Sequence, residues 1–209
     1  MIGTLLTAAA AGWLVAAEKQ DARRHILIAK PLASLGFLLV PVLEGRADTT
    51  MADWLMVGLV LGAMGDVALM LDGSPSFLAG LGAFLLGHVA YIAGFSTGSF
   101  STAPVLAATT VMTIVTIGSL RWLRPHLSKP FDVAVPLYVL IISVMVIAAV
   151  GAADVGLGAK IGAVLFAASD LTVARERFVH RSAWNRVVGL PMYYAGQLLI
   201  AWSIAGPTT

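Results

Sequence analysis

The chain has 209 residues, of which 59% are hydrophobic and only 11% are charged, and its mean hydropathy is +0.91. A soluble domain of this length cannot bury so much apolar surface, so the composition predicts an integral membrane protein. The net charge is +2, there is no cysteine for disulfides or thiolate metal sites, and the basic residues form short clusters. Such clusters suit loops at an anionic membrane face better than a nucleic-acid groove, so we expect no nucleic-acid partner.

Eight apolar segments approach the roughly 20 residues that cross the hydrocarbon core of a bilayer, for which about 17–25 residues are usual. Inside lipid the backbone must satisfy its own hydrogen bonds, so we predict that every span is a helix and that the fold is all-α. The loops are short and contain no linker, which predicts a single transmembrane helical domain over residues 1–209. In chain order, the predicted spans are 2–17, 26–43, 52–71, 76–97, 102–121, 132–151, 157–174 and 187–205.

Lysine and arginine are distributed unequally between the two sides that eight spans define. The loops after spans 1, 5 and 7 hold ten of the thirteen basic residues, whereas the loops of the opposite side hold Arg46 and Lys160. Positively charged loops stay in the cytoplasm, so we predict a multi-pass protein of the cell (inner) membrane with both termini outside. The ten residues of the predicted cytoplasmic side are Lys19, Arg23, Arg24, Arg121, Arg124, Lys129, Arg175, Arg177, Arg181 and Arg186.

Two of the eleven acidic residues lie inside predicted spans, away from loops and span ends. Asp66 belongs to span 3, within LGAMGDVALMLDG, and Asp170 belongs to span 7, within GAVLFAASDLTVA. At about 1.5 Å per residue, both carboxyl groups are expected roughly 6–8 Å inside the cytoplasmic boundary. Each could pair with a nearby cation or hydroxyl and only fix helix packing. An intramembrane carboxylate is nevertheless a functional-site hypothesis by default.

Other polar side chains are expected at similar or greater depth in the remaining spans. His88 and Tyr91 share one face of span 4, and span 8 contributes Tyr193, Tyr194 and Gln197. Singly, each polar residue has a structural explanation, such as a snorkelling lysine, an interfacial tyrosine or a histidine bonded to a carbonyl. Together they predict a polar cavity entered from the inner leaflet. The candidate binding residues are Lys30, His88, Tyr91, Tyr138, Tyr194 and Gln197.

The two halves of the chain contain related segments. LGAMGD at 61–66 and LFAASD at 165–170 share the pattern Leu-x-Ala-x-small-Asp, and a proline lies 35 residues before the first aspartate and 34 before the second. Two parallel four-helix halves, related by a pseudo-twofold axis along the membrane normal, would bring the two acids face to face. Chance similarity in a chain so rich in alanine and glycine explains the pattern equally well.

Five segments within about residues 26–203 carry a resemblance to a known family: KP at 30–31, GDVALML at 65–71, FLAGLGAFLLGHVAY at 77–91, GAVLFAASD at 162–170 and YYAGQLLI at 193–200. In this order they resemble the motifs of the YhhN/lysoplasmalogenase family of integral membrane proteins. The resemblance implies hydrolysis of the vinyl ether bond of lysoplasmalogens, which releases a fatty aldehyde and a glycerophospho-base. It also implies that Asp66 and Asp170 are the essential acids. The segment SDLTVARER departs from the family pattern at Thr172 and Arg175, which leaves the end of span 7 open.

Vinyl ether hydrolysis requires one protonated acid and one carboxylate. The acid protonates the β-carbon of the alkene, and the carboxylate stabilises the oxocarbenium ion and then deprotonates water. Glycosidases use two carboxyl groups for a related ion, and two neighbouring buried carboxyl groups can hold one proton between them. We therefore predict Asp66 and Asp170 as the catalytic pair, without assigning the acid, because coupled groups share their titration.

The other polar residues have supporting roles in this hypothesis. Lys30 could hold one acid ionised or could bind the lipid phosphate. Tyr194 and Gln197 could orient the water, and His88 could position the substrate. The expected partners are a lysophospholipid substrate and the surrounding membrane lipids, while the oligomeric state is not indicated by the sequence.

The sequence also bears on three other functional classes. A zinc amidase needs about three histidine ligands and a carboxylate, but His88 is the only intramembrane histidine, so we predict neither a metal nor another cofactor. A serine hydrolase would need a nucleophile motif such as GxSxG, which is absent. Buried acids and two repeated four-helix halves are as compatible with a proton-coupled transporter of a lipid or small molecule as with an enzyme. A transporter therefore stays the alternative.

Overall fold

The structure is a computed structural model that describes residues 1–71 and 73–205. Within these residues the chain forms eight α-helices and no β-strand. The helices are α1 (Ile2–Lys19), α2 (Arg23–Leu43), α3 (Thr50–Ala68), α4 (Ser74–Phe95), α5 (Thr102–Leu123), α6 (Phe131–Gly151), α7 (Leu157–Ala174) and α8 (Ala183–Ser203). A turn of 3₁₀-helix, Arg124–His126, extends α5, and a turn of π-helix, Arg175–Val179, extends α7.

The all-α prediction is confirmed for the part of the chain that the structure describes. Six helices, α2 to α7, are long and apolar enough to cross a membrane, so the chain is a multi-pass membrane protein. The predicted count of eight spans is not confirmed, because α1 and α8 are less apolar. Glu18 and Lys19 end α1, and α8 carries Arg186 and Gln197, which lowers the hydropathy of both helices.

The helix boundaries differ most from the prediction at α3 and α8. Helix α3 ends at Ala68 rather than at residue 71, so Asp66 lies closer to the end of its helix than predicted. Helix α8 begins at Ala183 rather than at residue 187, because the side chain of Ser182 caps it by accepting a hydrogen bond from the Trp184 backbone N–H (3.3 Å).

The helices pack as consecutive pairs: α1 with α2, α3 with α4, α5 with α6 and α7 with α8. Further contacts join α2 to α3 and α8, α4 to α6, α6 to α7, and α1 to α8. Glycine permits the closest approaches, as small residues do in membrane helix bundles. A Cβ atom on Gly36 of α2 would lie 2.3 Å from the Thr7 hydroxyl of α1, and one on Gly196 of α8 would lie 2.8 Å from the Gly162 carbonyl of α7.

Contacts between loops divide the molecule into two ends. The first end gathers the α1–α2, α3–α4 and α7–α8 connections, and the second gathers the α2–α3, α4–α5 and α6–α7 connections with the start of α1 and the end of α8. Contacts at the first end are Arg23 with the Met70 carbonyl (2.8 Å), Arg186 with Glu18 (2.9 Å) and Arg177 over the Phe77 ring (4.5 Å). Contacts at the second end are Ala47 with Ile204 (3.0 Å), Ser99 with Asp154 (2.9 Å) and Trp202 with Thr4 (2.9 Å).

Candidate active site

Asp66 lies in the last turn of α3, and its side chain is almost completely buried. Its Oδ2 atom accepts a hydrogen bond from Ser34 Oγ of α2 (2.7 Å) and another from the Tyr193 hydroxyl of α8 (2.8 Å). Lys30 Nζ of α2 lies 3.5 Å from Oδ1. Two hydroxyl donors and an ammonium group therefore surround the carboxyl group, which is how a buried negative charge is compensated.

Further hydrogen bonds hold the Tyr193 ring in place. Gln197 Nε2 donates to the Tyr193 hydroxyl oxygen (3.3 Å), and Gln197 Oε1 accepts from the Tyr91 hydroxyl of α4 (2.7 Å). Both Tyr91 and Gln197 are completely buried. This chain of bonds joins α4 and α8 and fixes the phenol that donates to Asp66.

Asp170 lies one turn before the end of α7, and its side chain is more accessible than that of Asp66. Its Oδ2 atom accepts a hydrogen bond from the Tyr138 hydroxyl of α6 (2.7 Å) and lies 3.2 Å from His88 Nε2 of α4. The His88 Nε2 atom is also 2.9 Å from the Tyr138 oxygen. His88 Nδ1 has no partner among the described residues, which favours the tautomer with its proton on Nε2, donated towards Asp170.

Asp66 and Asp170 line the same cavity, which has a volume of about 1280 Å³. Cavities of about 300–1,000 Å³ hold drug-sized ligands, so this one can hold a larger molecule such as a single-chain lipid. Aromatic rings form part of its wall. The Phe84 ring lies 5.8 Å from the Tyr193 ring, and both residues line the cavity. Behind this wall, the Phe166 ring lies 6.0 Å from the Phe84 ring and 4.6 Å from the ring of His88.

The cavity reaches the charged loops at the first end of the molecule. Arg186 of α8 joins the end of α1 to the π-helical turn after α7, because it pairs with Glu18 (2.9 Å) and with Glu176. More basic than acidic side chains line this mouth, which suits an anionic group such as a phosphodiester. The basic ones are Lys19, Arg23, Arg177, Arg181 and Arg186, and the acidic ones are Glu18, Asp21 and Glu176.

The predicted site residues take two kinds of position. Asp66, Asp170, Lys30 and Tyr138 line the cavity. The others lie behind its wall: His88 contacts Asp170, Tyr91 and Gln197 bond to each other, and the Tyr194 hydroxyl lies 3.5 Å from the Lys30 carbonyl oxygen. Contact of these four residues with a substrate stays a prediction.

Two residues that hold Asp66 were not among the predicted site residues. Ser34 follows Lys30 by four residues, so the two share one face of α2, and that spacing was the available signal. Tyr193 is visible in the sequence as a polar residue of span 8, but nothing in the sequence distinguishes it from its neighbour Tyr194.

The arrangement is suited to proton transfer. Each aspartate has a hydroxyl donor within 2.8 Å and a second ionisable side chain nearby, Lys30 for Asp66 and His88 for Asp170. Among the described residues, no group of three or more histidine, aspartate and glutamate side chains could hold a metal ion.

These features define a class: a multi-pass helical membrane protein in which two aspartates from different helices open onto one lipid-sized cavity. Within that class, the chain belongs to the YhhN family, which it matches over residues 25–204.

Relatives of this chain occur in bacteria and mammals. The lysoplasmalogenase of Mycobacterium bovis is 32% identical over 176 residues, which cover 80% of this chain and 66% of the relative. Lysoplasmalogenase TMEM86A of Bos taurus is 33% identical over 178 residues, 81% of this chain and 69% of that protein. Lysoplasmalogenase TMEM86B of Mus musculus is 33% identical over 175 residues, 83% and 72% of the two chains. This chain therefore spans about two thirds of the length of the bacterial relative, and no solved structure matches it.

Proposed function

We propose that this protein is a lysoplasmalogenase, a membrane hydrolase that converts an alkenyl-glycerophosphoethanolamine or -choline into a fatty aldehyde and a glycerophospho-base. The observation that carries the proposal is that Asp66 and Asp170 line one lipid-sized cavity, each held by a tyrosine hydroxyl. The names of the bacterial and mammalian relatives support the same reaction.

The first chemical step is protonation of the vinyl ether. A carboxylic acid transfers its proton to the β-carbon of the alkene, and the α-carbon becomes an oxocarbenium ion. We assign this role to Asp170, because the Lys30 ammonium group lies beside Asp66 rather than beside Asp170, and because Asp170 Oδ1 accepts no hydrogen bond from the described residues and can carry the transferred proton. General acid catalysis of this kind contributes about 10²–10⁴-fold to a rate.

The second step adds water to the oxocarbenium ion. A carboxylate takes a proton from the water while the oxygen of that water bonds to the α-carbon. The resulting hemiacetal collapses to the aldehyde and the free glycerol hydroxyl. We assign the carboxylate to Asp66, because Lys30 and two hydroxyl donors favour its ionised form. The other residues act from behind the wall: Tyr91 and Gln197 position Tyr193, and Tyr194 contacts the backbone that carries Lys30.

We also propose that all eight helices cross the membrane as one domain. Helices α1 and α8 have 18 and 21 residues, which is enough to span the hydrocarbon core. The charged first end would then face the cytoplasm and both termini would lie outside, in the cell (inner) membrane. The mouth of the cavity, with its excess of basic residues, would meet the headgroups of the inner leaflet.

The helices are further proposed to form two parallel halves, α1–α4 and α5–α8. GLVLGAMGD at 58–66 and GAVLFAASD at 162–170 share Gly, Val, Leu, Ala and Asp at matching positions. Ser34 donates to Asp66 and Tyr138 donates to Asp170, each across a separation of 32 residues. The packing of α2 with α3 and α8 corresponds to that of α6 with α7 and α4.

The test is incubation of the purified protein in detergent with a lysoplasmalogen while aldehyde release is followed. Turnover in detergent is expected of an enzyme, because it needs no separation of compartments. The alternative, a proton-coupled transporter that uses the same buried acids, predicts no aldehyde in detergent and substrate-dependent proton movement in sealed vesicles.

A further inference from the structure

Helix α5 is the least buried of the six long apolar helices. Among the helices of the described residues it packs mainly on α6, whereas α1, its proposed counterpart, packs on both α2 and α8. The cavity that contains the two aspartates extends into the space beside α5, where it is bounded by α5, α6 and α7.

This extension is an apolar groove. Val111 and Met112 of α5, Val146 and Val150 of α6, and Val164 of α7 line it, and all five side chains are aliphatic or a thioether. Ser143, which also lines this region, forms a hydrogen bond with Thr116 across α5 and α6 (2.7 Å). A groove lined mainly by aliphatic side chains favours hydrocarbon over water.

The groove is as long as one lipid leaflet is thick. It begins at Tyr138, beside Asp170, and reaches Val150 twelve residues further along α6, which is about 18 Å at the rise of an α-helix. Half of a hydrocarbon core of about 30 Å is about 15 Å, the depth that a lipid chain occupies.

The far end of the groove is closed. Gly151 of α6 packs so tightly against Val105 of α5 that an added Cβ atom would lie 2.4 Å from the valine side chain. The Ser101 backbone N–H donates to the Gly151 carbonyl (2.9 Å), which ties the start of α5 to the end of α6. Ala108 lies one turn along α5 from Val105, is buried, and lines the cavity close to this closed end.

We propose that this groove is the binding site for the single hydrocarbon chain of the substrate and that Ala108 sets the longest chain that fits. The proposal rests on the proposed function, since it takes the occupant to be a single-chain ether lipid whose linkage lies at Asp66 and Asp170. Continuity of the groove with the two aspartates and its closed far end both fit an alkyl chain that enters beside them.

The test compares Ala108→Phe with the parental protein on lysoplasmalogens of increasing chain length. Phenylalanine at this position fills the far end of the groove, so kcat/KM for the longest chains should fall by at least about tenfold, the loss expected when a pocket rejects an extra methylene or more. The rate for the shortest chains should stay within a factor of about two, because a short chain does not reach the closed end. The matched control is Ala103→Phe, on the same helix at an exposed position that does not line the cavity, and it should keep the parental chain-length profile.

A binding measurement separates this proposal from the proposed activity. A non-hydrolysable alkyl ether lysolipid with a photoreactive group at the chain terminus is crosslinked to the unmodified protein, and the crosslinks are mapped by mass spectrometry. We expect crosslinks on α5 and α6 around Ala108 and Val150, competed by unlabelled lysolipid and not by detergent. Such crosslinks would support the binding site for the hydrocarbon chain even if the protein released no aldehyde. Crosslinks spread evenly over the lipid-facing helices, or an equal loss of rate for all chain lengths in Ala108→Phe, would overturn the proposal.

Discussion

Tyr193 and Tyr194 are neighbours in the sequence, but their hydroxyl groups have different partners. The Tyr193 hydroxyl donates to Asp66 (2.8 Å), whereas the Tyr194 hydroxyl lies 3.5 Å from the Lys30 carbonyl oxygen. Both rings are buried, and both pack against Phe37. The two residues therefore form a matched pair in which removal of one oxygen deletes a direct hydrogen bond to the proposed carboxylate and removal of the other does not.

Tyr193→Phe should lower the rate of aldehyde release by about 10–100-fold, since a hydrogen bond to a charged group contributes about 1.5–3 kcal/mol. Tyr194→Phe should leave most of the rate, because its bond is long and its acceptor is neutral. The measurement is kcat on a lysoplasmalogen in detergent, with the melting temperature of each variant recorded beside it. The proposed role of Tyr193 fails if both variants keep the parental rate.

Asp66→Asn and Asp170→Asn should each abolish turnover while the protein stays folded. Asparagine keeps the size of the side chain but neither gives nor takes a proton, so each change should cost at least about 10²–10⁴-fold. The double variant should be little worse than either single one, because residues that act as a unit fail together. Aldehyde release is measured beside the melting temperature. A folded variant that retains more than roughly a tenth of the parental rate loses less than the low end of this range, and that aspartate would then not be catalytic.

At the residue scale, the two aspartates could be predicted because a charge inside an apolar segment is visible within a few residues of sequence. The two hydroxyl donors to Asp66 could not be predicted in the same way. Ser34 resembles any small residue of a membrane helix, and it meets Asp66 only through a bond across 32 residues. The choice between Tyr193 and Tyr194 depends on the rotation of α8 about its axis, which packing decides.

The pairing of α7 with α8 depends on two glycines that bring the helix backbones together. A Cβ atom on Gly196 would lie 2.8 Å from the Gly162 carbonyl oxygen and 3.1 Å from the Phe166 backbone nitrogen, and neither atom can move without its helix. Gly158, one turn from Gly162 on α7, has open space, since an added Cβ atom would meet only Leu199 at 3.9 Å.

Gly196→Ala should therefore destabilise the protein by about 1–3 kcal/mol, the usual cost of overpacking. Gly158→Ala should be neutral or stabilising by about 0.4–1 kcal/mol, because alanine restricts the unfolded chain more than glycine does. Melting temperatures in one detergent compare the two variants. Equal effects of both substitutions would mean that close approach at Gly196 does not hold α7 against α8.

At the element scale, the sequence predicts where the helices lie better than where they end. Apolar segments long enough to span lipid identified all eight helices of the described residues. The early start of α8 depends on the Ser182 cap. Gly73 precedes the first residue of α4, and its φ of +104° is a backbone conformation that favours glycine over other residues. Such local turns are decided by a few backbone angles, which hydropathy does not report.

At the scale of the whole molecule, the sequence repeat indicates two related halves but not the difference between them. Helix α1 packs on α8, whereas α5 packs mainly on α6 and leaves the groove beside it. Packing of α5 depends on contacts that are spread over its whole length, and no single motif marks them. The extension of the cavity beside α5 could therefore not be read from the sequence.

The single groove beside α5 predicts that the protein prefers lipids with one hydrocarbon chain to lipids with two. A lysoplasmalogen has one chain, which can occupy the groove while its headgroup stays at the basic mouth formed by residues such as Arg177 and Arg181. An intact plasmalogen carries a second chain, which would have to share the same cavity. We expect the rate on the lysolipid to exceed that on the intact plasmalogen by at least about tenfold, the scale on which a filled pocket discriminates. Equal turnover of the two substrates in mixed micelles would contradict this.

The orientation of the molecule follows from the unequal charge of its two ends. The first end carries the α7–α8 connection with Arg175, Arg177 and Arg181, while the second end carries the α6–α7 connection. Because positively charged loops are retained in the cytoplasm, the second end and both termini should lie outside. The chain has no cysteine, so single introduced cysteines report on one site each. A membrane-impermeant maleimide should label Ala153→Cys in intact cells and should label His180→Cys only after the membrane is opened. Labelling of His180→Cys in intact cells would reverse the orientation and place the mouth of the cavity in the outer leaflet.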